Sequence, residues 1–230
     1  HPHGEAAVAP PPPIGHWDAS QTVGEVMPNL GGADLPAHLQ GVTVRNQIAD
    51  LVQHPHLYFD GRQALVTIAP QALLNPQSLT MSVWVLVRPD GATTQKPLLV
   101  KSLPTHRQPW YQYGLFVMAR GTENLALACY LSVAGQAVIA TADDVVPADT
   151  WGMATATWDG KTARVYWNGR LVACQEGPAG GLDGYDTPLV LGAYANLPRT
   201  ADYCLAGAIG SVRLYDRALS EAQVLALYEA

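Results

Sequence analysis

Short β-strand patterns separated by turn signals run through most of this chain, and they restrict its fold more than any other feature. The pair Asn168-Gly169 lies between Val165-Tyr166-Trp167 and Leu171-Val172. An Asn-Gly pair in this position favours a two-residue β-hairpin, because both residues accept the positive φ that a type I′ turn requires. The sequence therefore predicts an antiparallel hairpin here.

Runs of the same kind continue from residue 57 to the C-terminus, with turn-forming residues between them. The 21 Gly and 18 Pro residues among 230 are typical of a chain rich in strands and turns. We predict strands near residues 58–59, 64–68, 79–87, 96–101, 113–119, 125–132, 137–140, 152–158, 163–167, 171–174, 189–192 and 206–215.

One helix is predicted, at the C-terminus. The residues Ser220-Glu221-Ala222-Gln223 form a capping box, and apolar residues follow them at helical spacing. We expect a helix over residues 220–229, with Val224 or Leu225 packed against a sheet edge. Many short strands and one terminal helix predict an all-β protein in which two antiparallel sheets pack as a sandwich.

The N-terminus has a different composition. Residues 1–14 include Pro10-Pro11-Pro12-Pro13, which favours a stiff polyproline II segment. We predict a Pro-rich N-terminal arm at residues 1–14 and a single domain at residues 15–230. Because the chain begins with His1 rather than Met, it has the form of a chain processed after secretion, and we expect a secreted or periplasmic protein.

Charge and cysteine content exclude several classes of protein. The chain has 13 Lys and Arg against 19 Asp and Glu and no basic stripe, which argues against a nucleic-acid or anionic-membrane partner. Its apolar runs are too short for a membrane span. Cys129, Cys174 and Cys204 match no zinc-binding spacing and allow at most one disulfide, so we expect mainly buried, apolar cysteines.

An ordered set of motifs resembles the concanavalin A-like, laminin-G-like jelly-roll domains. Each motif is common, but their order over residues 17–230 is specific. They are Trp17-Asp18-Ala19-Ser20, Tyr58-Phe59-Asp60-Gly61, Leu79-Thr80-Met81-Ser82-Val83-Trp84-Val85, Thr155-Ala156-Thr157-Trp158-Asp159-Gly160, and Gly207-Ala208-Ile209-Gly210-Ser211-Val212-Arg213-Leu214-Tyr215 with the residues after it. The resemblance implies a two-sheet antiparallel jelly roll, in which we expect Trp84 and Trp158 to be core residues.

Enzymes that share this fold carry recognisable catalytic residues, and the sequence can be searched for them. Hydrolases similar to laminarinases carry acidic residues at positions i, i+2 and i+4 of one strand, which brings the carboxylates onto one sheet face. No two acidic residues here are separated by a single residue. The strand rich in Arg, Glu, Gln and His that the polysaccharide lyases use is also missing from the sequence. We expect neither activity, against the alternative of carboxylates that converge from different strands.

The resemblance also concerns a structural calcium ion. Relatives often hold it with an Asp in the last strand, where this sequence has Gly210 and Ser211. Asp18, Asn29 and Asp34 remain candidate calcium ligands near the N-terminal segment. The alternative is that these residues are ordinary turn residues in contact with solvent.

An aromatic run offers a candidate ligand-binding surface. Trp110, Tyr111 and Tyr113 follow Arg107 in a segment predicted to lead from a loop into a strand. Exposed rings beside polar side chains are suited to stacking on sugar rings, whose CH faces are apolar and whose hydroxyl groups need polar partners. The alternative is that the strand alternation buries Tyr111 or Tyr113 in the core.

Histidine is concentrated near the N-terminus. His-Pro-His occurs at residues 1–3 and 54–56, and Pro favours an extended residue before it, which directs both rings of a pair to the same side. A free N-terminal His offers an amine and an imidazole to one metal, as in the histidine-brace copper proteins, which this chain resembles only in having His1. We predict a copper site formed by His1 with His3, His54 or His56, against the alternative of solvated histidines.

Three functions follow from these observations. The first is a secreted, non-catalytic module that binds a polysaccharide or other glycan. The second is a copper-dependent oxidoreductase with a histidine brace. The third is a structural or adhesive subunit that docks through its Pro-rich arm. The glycan-binding module is the function that the resemblance favours, so we expect no enzyme.

Overall fold

The computed structural model describes residues 8–90 and 94–230. Within them the chain forms sixteen strands, one α-helix and two short 3-10 turns. The strands are β1 (Gly15–Asp18), β2 (Val26–Met27), β3 (Ala37–Gln40), β4 (Thr43–Arg45), β5 (His56–Asp60), β6 (Leu65–Ile68), β7 (Leu79–Val87), β8 (Lys96–Ser102), β9 (Tyr111–Met118), β10 (Leu125–Val133), β11 (Gln136–Val146), β12 (Gly152–Trp158), β13 (Thr162–Trp167), β14 (Arg170–Glu176), β15 (Leu189–Leu191) and β16 (Ala206–Tyr215). The helix is α1 (Glu221–Glu229), and the 3-10 turns are Ala19–Gln21 and Ala72–Leu74.

The strands form two eight-stranded antiparallel sheets. The first sheet has the order β14-β13-β12-β7-β16-β5-β4, and β1 also pairs with β16. The second sheet has the order β11-β10-β9-β8-β15-β6-β3-β2. The two sheets pack face to face as a jelly-roll sandwich, which confirms the predicted all-β fold.

The main core lies between the sheets and follows the period of two along each strand. In β7, Met81, Val83 and Val85 are buried in this core, whereas Trp84 packs on the other side of the sheet. Trp158 in β12 is fully buried, and its indole N–H donates to the Gly180 carbonyl at 2.9 Å. Trp158 is therefore a core residue as predicted, but the prediction for Trp84 is wrong, because Trp84 occupies an outward position of its strand.

The predicted hairpin and helix are both present. Asn168 and Gly169 connect β13 and β14 with φ values of 50° and 79°. Ser220 caps α1 with a complete capping box. Val224 is buried on the outer face of the first sheet, as predicted, and Leu225 is 39% exposed.

Residues before 57 also contribute strands, which the sequence pattern did not indicate. β1 pairs with β16 in the register Trp17 to Val212, and the Trp17 indole N–H donates to the Leu35 carbonyl at 2.8 Å. Trp17 is fully buried. The N-terminal segment from Gly15 onward is thus an integral part of the first sheet.

Two of the three cysteines are buried, as predicted. Cys129 and Cys204 are buried, Cys174 is exposed, and all three are free thiols. Across residues 8–90 and 94–230, no helix has both the length and the apolar character needed to cross a membrane.

Candidate functional site

Several aromatic side chains meet on the outer face of the second sheet. β9 and β10 provide Phe116 and Tyr130, and the loop at residues 193–205 adds two tyrosines from above. We define the second-sheet cluster as Trp110, Tyr111, Phe116, Tyr130, Tyr194 and Tyr203. It is separate from the core between the sheets.

The rings of this cluster contact one another directly. The Tyr111 centroid lies 4.8 Å from that of Phe116 and 5.5 Å from that of Tyr130, the second pair at an interplanar angle of 83°. Tyr194 stacks on Tyr111 at 5.9 Å and meets Tyr203 edge-on at 6.1 Å. These distances fall in the favourable range for aromatic pairs, so the cluster is a packed unit rather than a set of loose side chains.

The predicted ligand-binding residues have different environments. Trp110 is half-buried at the edge of the cluster, and Arg107 is exposed beside it. Tyr111 is only 6% exposed, so it supports the cluster from below and offers almost no free ring face.

The prediction for Tyr113 as a stacking residue is wrong. Its side chain lies in the core between the sheets, is fully buried, and donates its hydroxyl to the Leu74 carbonyl at 2.9 Å. The strand alternation that was left open as an alternative accounts for Tyr113 alone. A β-bulge between the Lys101–Tyr113 and Ser102–Tyr111 pairs of β8 and β9 interrupts the period of two, so Tyr111 faces the outer cluster while Tyr113 faces the core.

Burial keeps the phenol groups of Tyr111 and Tyr194 protonated. It raises the pKa of Tyr111 to about 12, although a hydrogen bond with Tyr194 acts in the opposite direction. Burial also raises the pKa of Tyr194, whose hydroxyl donates to the Gln95 carbonyl at 3.0 Å. Tyr111 and Tyr194 therefore act as neutral hydrogen-bonding groups over the physiological pH range.

A cavity of about 390 Å³ lies next to the cluster. Tyr194 and Leu197 contribute apolar walls, and Gln40, Thr67 and Arg199 contribute polar groups. The Asn196 side chain donates to the Leu103 carbonyl at 3.1 Å, which joins the loop at residues 193–205 to the segment before Trp110. Tyr194 thus belongs both to the cluster and to the wall of the cavity, where apolar and polar side chains lie together as in carbohydrate sites.

The carboxylate of Asp159 has a structural role. Asp159 accepts from the backbone N–H groups of Lys161 and Thr162 and from the Arg164 guanidinium at 2.7 Å. Burial opposes ionisation of Asp159, but these bonds outweigh it and lower the pKa of the carboxyl. A lowered pKa is the reverse of what a general acid needs.

The candidate copper ligands are only partly described. His1 and His3 lie outside the described residues. His54 is exposed, whereas His56 is fully buried and its Nδ1 lies 2.9 Å from the His54 carbonyl oxygen. The described part of the chain contains no group of three or more His, Cys, Asp or Glu placed to hold a metal. The copper site therefore stays a prediction.

The candidate calcium ligands make other bonds. Asn29 accepts from the His16 and Gly31 N–H groups through Oδ1 and donates to two carbonyls through Nδ2. Asp18 caps the turn at Ala19–Gln21 by accepting from Ser20, and Asp34 is exposed. At Gly210, a Cβ atom would lie 2.7 Å from the Trp151 ring. An indole thus occupies the space beside Gly210, and the calcium site stays a prediction.

Sequence reasoning missed several residues of the cluster and cavity. Tyr130 occupies an outward position of β10, which the period-two alternation of its strand indicates. Tyr194, Tyr203 and Arg199 lie in an irregular loop, and no local pattern predicts which sheet face that loop covers.

Comparison with known proteins agrees with this architecture. A family model described as the concanavalin A-like lectin/glucanases superfamily matches residues 59–225. A search of curated protein sequences found no match to the chain.

Solved structures share the fold at low sequence identity. The receptor binding domain of botulinum neurotoxin mosaic serotype C/D has a TM-score of 0.69 at 13% identity, with 94% of this chain and 50% of that chain covered. The binding domain of botulinum neurotoxin DC in complex with SialylT has a TM-score of 0.68 at 10% identity, with 95% and 51% covered. This chain thus spans about half the length of those neurotoxin domains.

A third structure matches over nearly its whole length. Domain 4 of AbnA, an extracellular GH43 arabinanase from Geobacillus stearothermophilus solved with arabinotriose, has a TM-score of 0.61 at 15% identity, with 94% of this chain and 98% of that chain covered. The family match extends over well more than half of the chain, and the structural matches share its two-sheet fold. The chain is therefore a member of the concanavalin A-like lectin/glucanases superfamily.

Proposed function

We propose that this protein is a secreted, non-catalytic carbohydrate-binding module whose ligand lies on the second-sheet cluster and its cavity. The observation that carries the proposal is the combination of half-exposed Trp110, Tyr130 and Tyr203 with the polar groups of Gln40 and Arg199. Aromatic faces stack on the CH groups of a sugar, and the neighbouring polar groups bond its hydroxyls.

The structural neighbours support the same class of ligand. Domain 4 of AbnA, which this chain matches over nearly its whole length, is recorded with arabinotriose, and the neurotoxin binding domain, of which this chain covers half, is recorded with SialylT. Fold does not determine function, and for this reason the argument rests on the cluster rather than on the neighbours. An extracellular location forms part of the proposal, because polysaccharide ligands of such modules lie outside the cytoplasm.

The absence of catalysis is proposed on chemical grounds. Hydrolysis of a glycosidic bond needs two carboxyl groups on either side of the bond, one of them with a raised pKa. The acidic residue in the Asp159 turn has a lowered pKa and is held by backbone and Arg164. The cavity beside the cluster is lined by Gln40, Thr67 and Arg199 and contains no carboxylate among its described lining residues.

A carbohydrate titration tests this function. The panel is arabinotriose, mannotriose, cellotriose and a sialylated trisaccharide, measured by calorimetry against the full chain. We expect at least one to bind, and Trp110→Ala to weaken that binding by about 1–3 kcal/mol, the range known for stacking of a nucleic-acid base on an aromatic ring.

Tyr113→Phe is the matched control. It removes a hydroxyl that is buried in the core and bonded to Leu74, so it is expected to leave affinity unchanged. The proposal fails if no member of the panel binds. Its assignment to the cluster fails if Trp110→Ala binds as tightly as the wild type.

A further inference from the structure

A second aromatic depression lies on the outer face of the first sheet, on the opposite side of the sandwich. It has a volume of about 200 Å³. We define the first-sheet groove by its lining residues, which are Asp18, His54, Pro55, Trp84, Trp151, Gly210 and Ser211. Helix α1 covers the sheet at one end of this face, and the segment containing Ile48 and Val52 covers it at the other.

Gly210 allows the groove to form. Trp151 precedes β12, yet its ring reaches the position where a Cβ of Gly210 would lie, at 2.7 Å. Any side chain at residue 210 would push the indole away. The missing side chain in β16 therefore places Trp151 over the sheet.

The rings of the groove hold one another in place. Trp84 stacks on Trp151 at a centroid distance of 6.0 Å and an interplanar angle of 19°. Trp84 also stacks on Tyr228 of α1 at 5.6 Å, and His54 meets Trp151 edge-on at 4.7 Å. Trp84, Trp151 and Tyr228 are nevertheless only half-buried, so a preformed aromatic surface faces solvent.

The polar groups of the groove are left available. Within the described residues, the indole N–H groups of Trp84 and Trp151 and the His54 ring form no hydrogen bond, in contrast to the indoles of Trp17 and Trp158, which donate to backbone carbonyls. Asp18 uses Oδ1 for Ser20 and leaves Oδ2 without a described partner. Asp18 pairs directly with Ser211 across β1 and β16, so a carboxylate and a hydroxyl lie side by side at the groove.

We propose that the first-sheet groove is a second carbohydrate site, which takes one residue of a neutral sugar chain. Half-exposed indoles, free N–H donors, a hydroxyl and a carboxylate acceptor match the CH faces and hydroxyl groups of a sugar. The Asp18 carboxylate disfavours an acidic sugar by charge repulsion. A volume below the roughly 300–1,000 Å³ of drug-sized ligand sites suits a single ring.

The consequence is a bivalent module. The first-sheet groove and the second-sheet cluster lie on opposite outer faces of the sandwich, so one chain can hold two polysaccharide strands at once. This inference rests on the proposed function for the class of ligand, but it concerns separate residues. Two sites on one molecule increase avidity for long chains and cross-link them.

The six tryptophans provide a direct test by NMR. With ¹⁵N-labelled tryptophan the full chain gives one indole N–H signal per Trp, and each is assigned by a Trp→Phe substitution. The protein is titrated with arabinotriose, mannotriose and cellotriose. We expect the signals of Trp84 and Trp151 to shift with at least one of them, while the buried, hydrogen-bonded indoles of Trp17 and Trp158 stay unchanged.

The outcomes separate the two proposals. A shift confined to Trp110 overturns this inference and supports the site on the second-sheet cluster. A shift of Trp84 and Trp151 alone supports this inference and moves the proposed function away from the cluster. If no indole signal moves with any of the three sugars, the groove is not a neutral-sugar site.

Variants then test the groove in affinity. Asp18→Asn retains the oxygen that caps the turn and removes the charge, and Ser211→Ala removes one hydroxyl. We expect Trp151→Ala to weaken binding to the groove about tenfold or more and Asp18→Asn or Ser211→Ala to weaken it several-fold. Unchanged affinity in both polar variants, each folded as judged by its NMR spectrum, would contradict the assigned contacts.

Cross-linking gives the last readout. A long neutral polysaccharide that contains the bound sugar should be cross-linked by the wild type and not by Trp151→Ala or Trp110→Ala alone, although each still binds through its remaining site. Equal cross-linking by wild type and Trp151→Ala would overturn bivalency through the groove.

Discussion

At the scale of single residues, Lys101 is the least expected feature of the molecule. Its ammonium group is fully buried, and its Nζ donates to Gln112 Oε1 at 2.7 Å, to Thr187 Oγ1 at 3.2 Å and to the Tyr185 carbonyl. Burial lowers the pKa of Lys101 to about 8, although Asp186 acts in the opposite direction. These bonds hold the segment before β15 against the second sheet.

The lowered pKa predicts how stability depends on pH. Between pH 8 and about 10.5 the unfolded chain keeps the Lys101 proton and the folded chain releases it, so this residue makes the protein more stable as pH rises through that window. Below pH 8 the full cost of burying the charge is present in the folded state. We expect the wild type to gain about 1–3 kcal/mol relative to Lys101→Met between pH 7.5 and 10.5.

Urea unfolding of both proteins at a series of pH values checks this prediction. Buried tyrosines with raised pKa values act in the opposite direction above pH 10, but they are common to both proteins and cancel in the difference. A difference that stays constant across the window would show that Lys101 titrates normally.

At the scale of secondary-structure elements, the capping box contributes to the stability of α1. A nine-residue helix is too short to be stable alone, so its first turn and its packing on the sheet must both contribute. Ser220 Oγ accepts from the Gln223 N–H at 3.2 Å, and Gln223 Oε1 accepts from the Ser220 N–H at 2.9 Å. The helix then covers Met153, Tyr166 and Tyr215.

Removal of this cap should destabilise the protein measurably. We expect Ser220→Ala to lower the free energy of unfolding by about 1 kcal/mol, since it leaves the Gln223 N–H group without its side-chain acceptor. Ser220→Asp keeps an acceptor in the same place and should remain close to the wild type. Urea unfolding compares the three, and equal losses in both variants would mean that the cap is not the cause.

At the scale of the whole molecule, the N-terminal segment completes the domain. Residues 59–225 match the family, but β1 to β4 lie before them and occupy positions in both sheets. Trp17 and Ile14 pack against the main core, and β1 pairs with β16, an interior strand of the first sheet. By contrast, the contact of the Ala9 carbonyl with Gln223, at 3.4 Å, is long and exposed.

Two truncated chains test where the domain begins. A chain that starts at Pro11 keeps β1 and should unfold at nearly the same urea concentration as the full chain. A chain that starts at Gln21 loses Trp17 and the whole of β1, and should lose at least about 3–5 kcal/mol, the usual cost of deleting a buried Trp. A similar loss in both chains would place the boundary of the domain before Pro11.

The sequence by itself determined most of the β-sandwich from Leu57 onward. Alternation of apolar and polar residues, the Asn168-Gly169 turn and the Ser220 capping box are local signals, and local geometry alone fixes their outcome. The strands near 79–87, 152–158 and 206–215 were predicted with the bounds that the structure has. Apolar and polar residues alternate only weakly before residue 57, so β1 was not predicted. That strand is specified by its pairing with β16 rather than by its own sequence.

The tertiary structure alone decided which side chains form the candidate sites. Strand alternation places Trp84 and Val85 on opposite sides of β7, but it does not determine which side faces the core. In the structure Trp84 lies on the outer face. Tyr113 lies in the core although Tyr111 lies on the outer face, because a β-bulge between the two residues interrupts the period of two. Trp151 reaches Gly210 across β7, and Tyr194 reaches Tyr111 from a distant loop, so both sites depend on contacts between residues far apart in the chain, which local sequence signals do not encode.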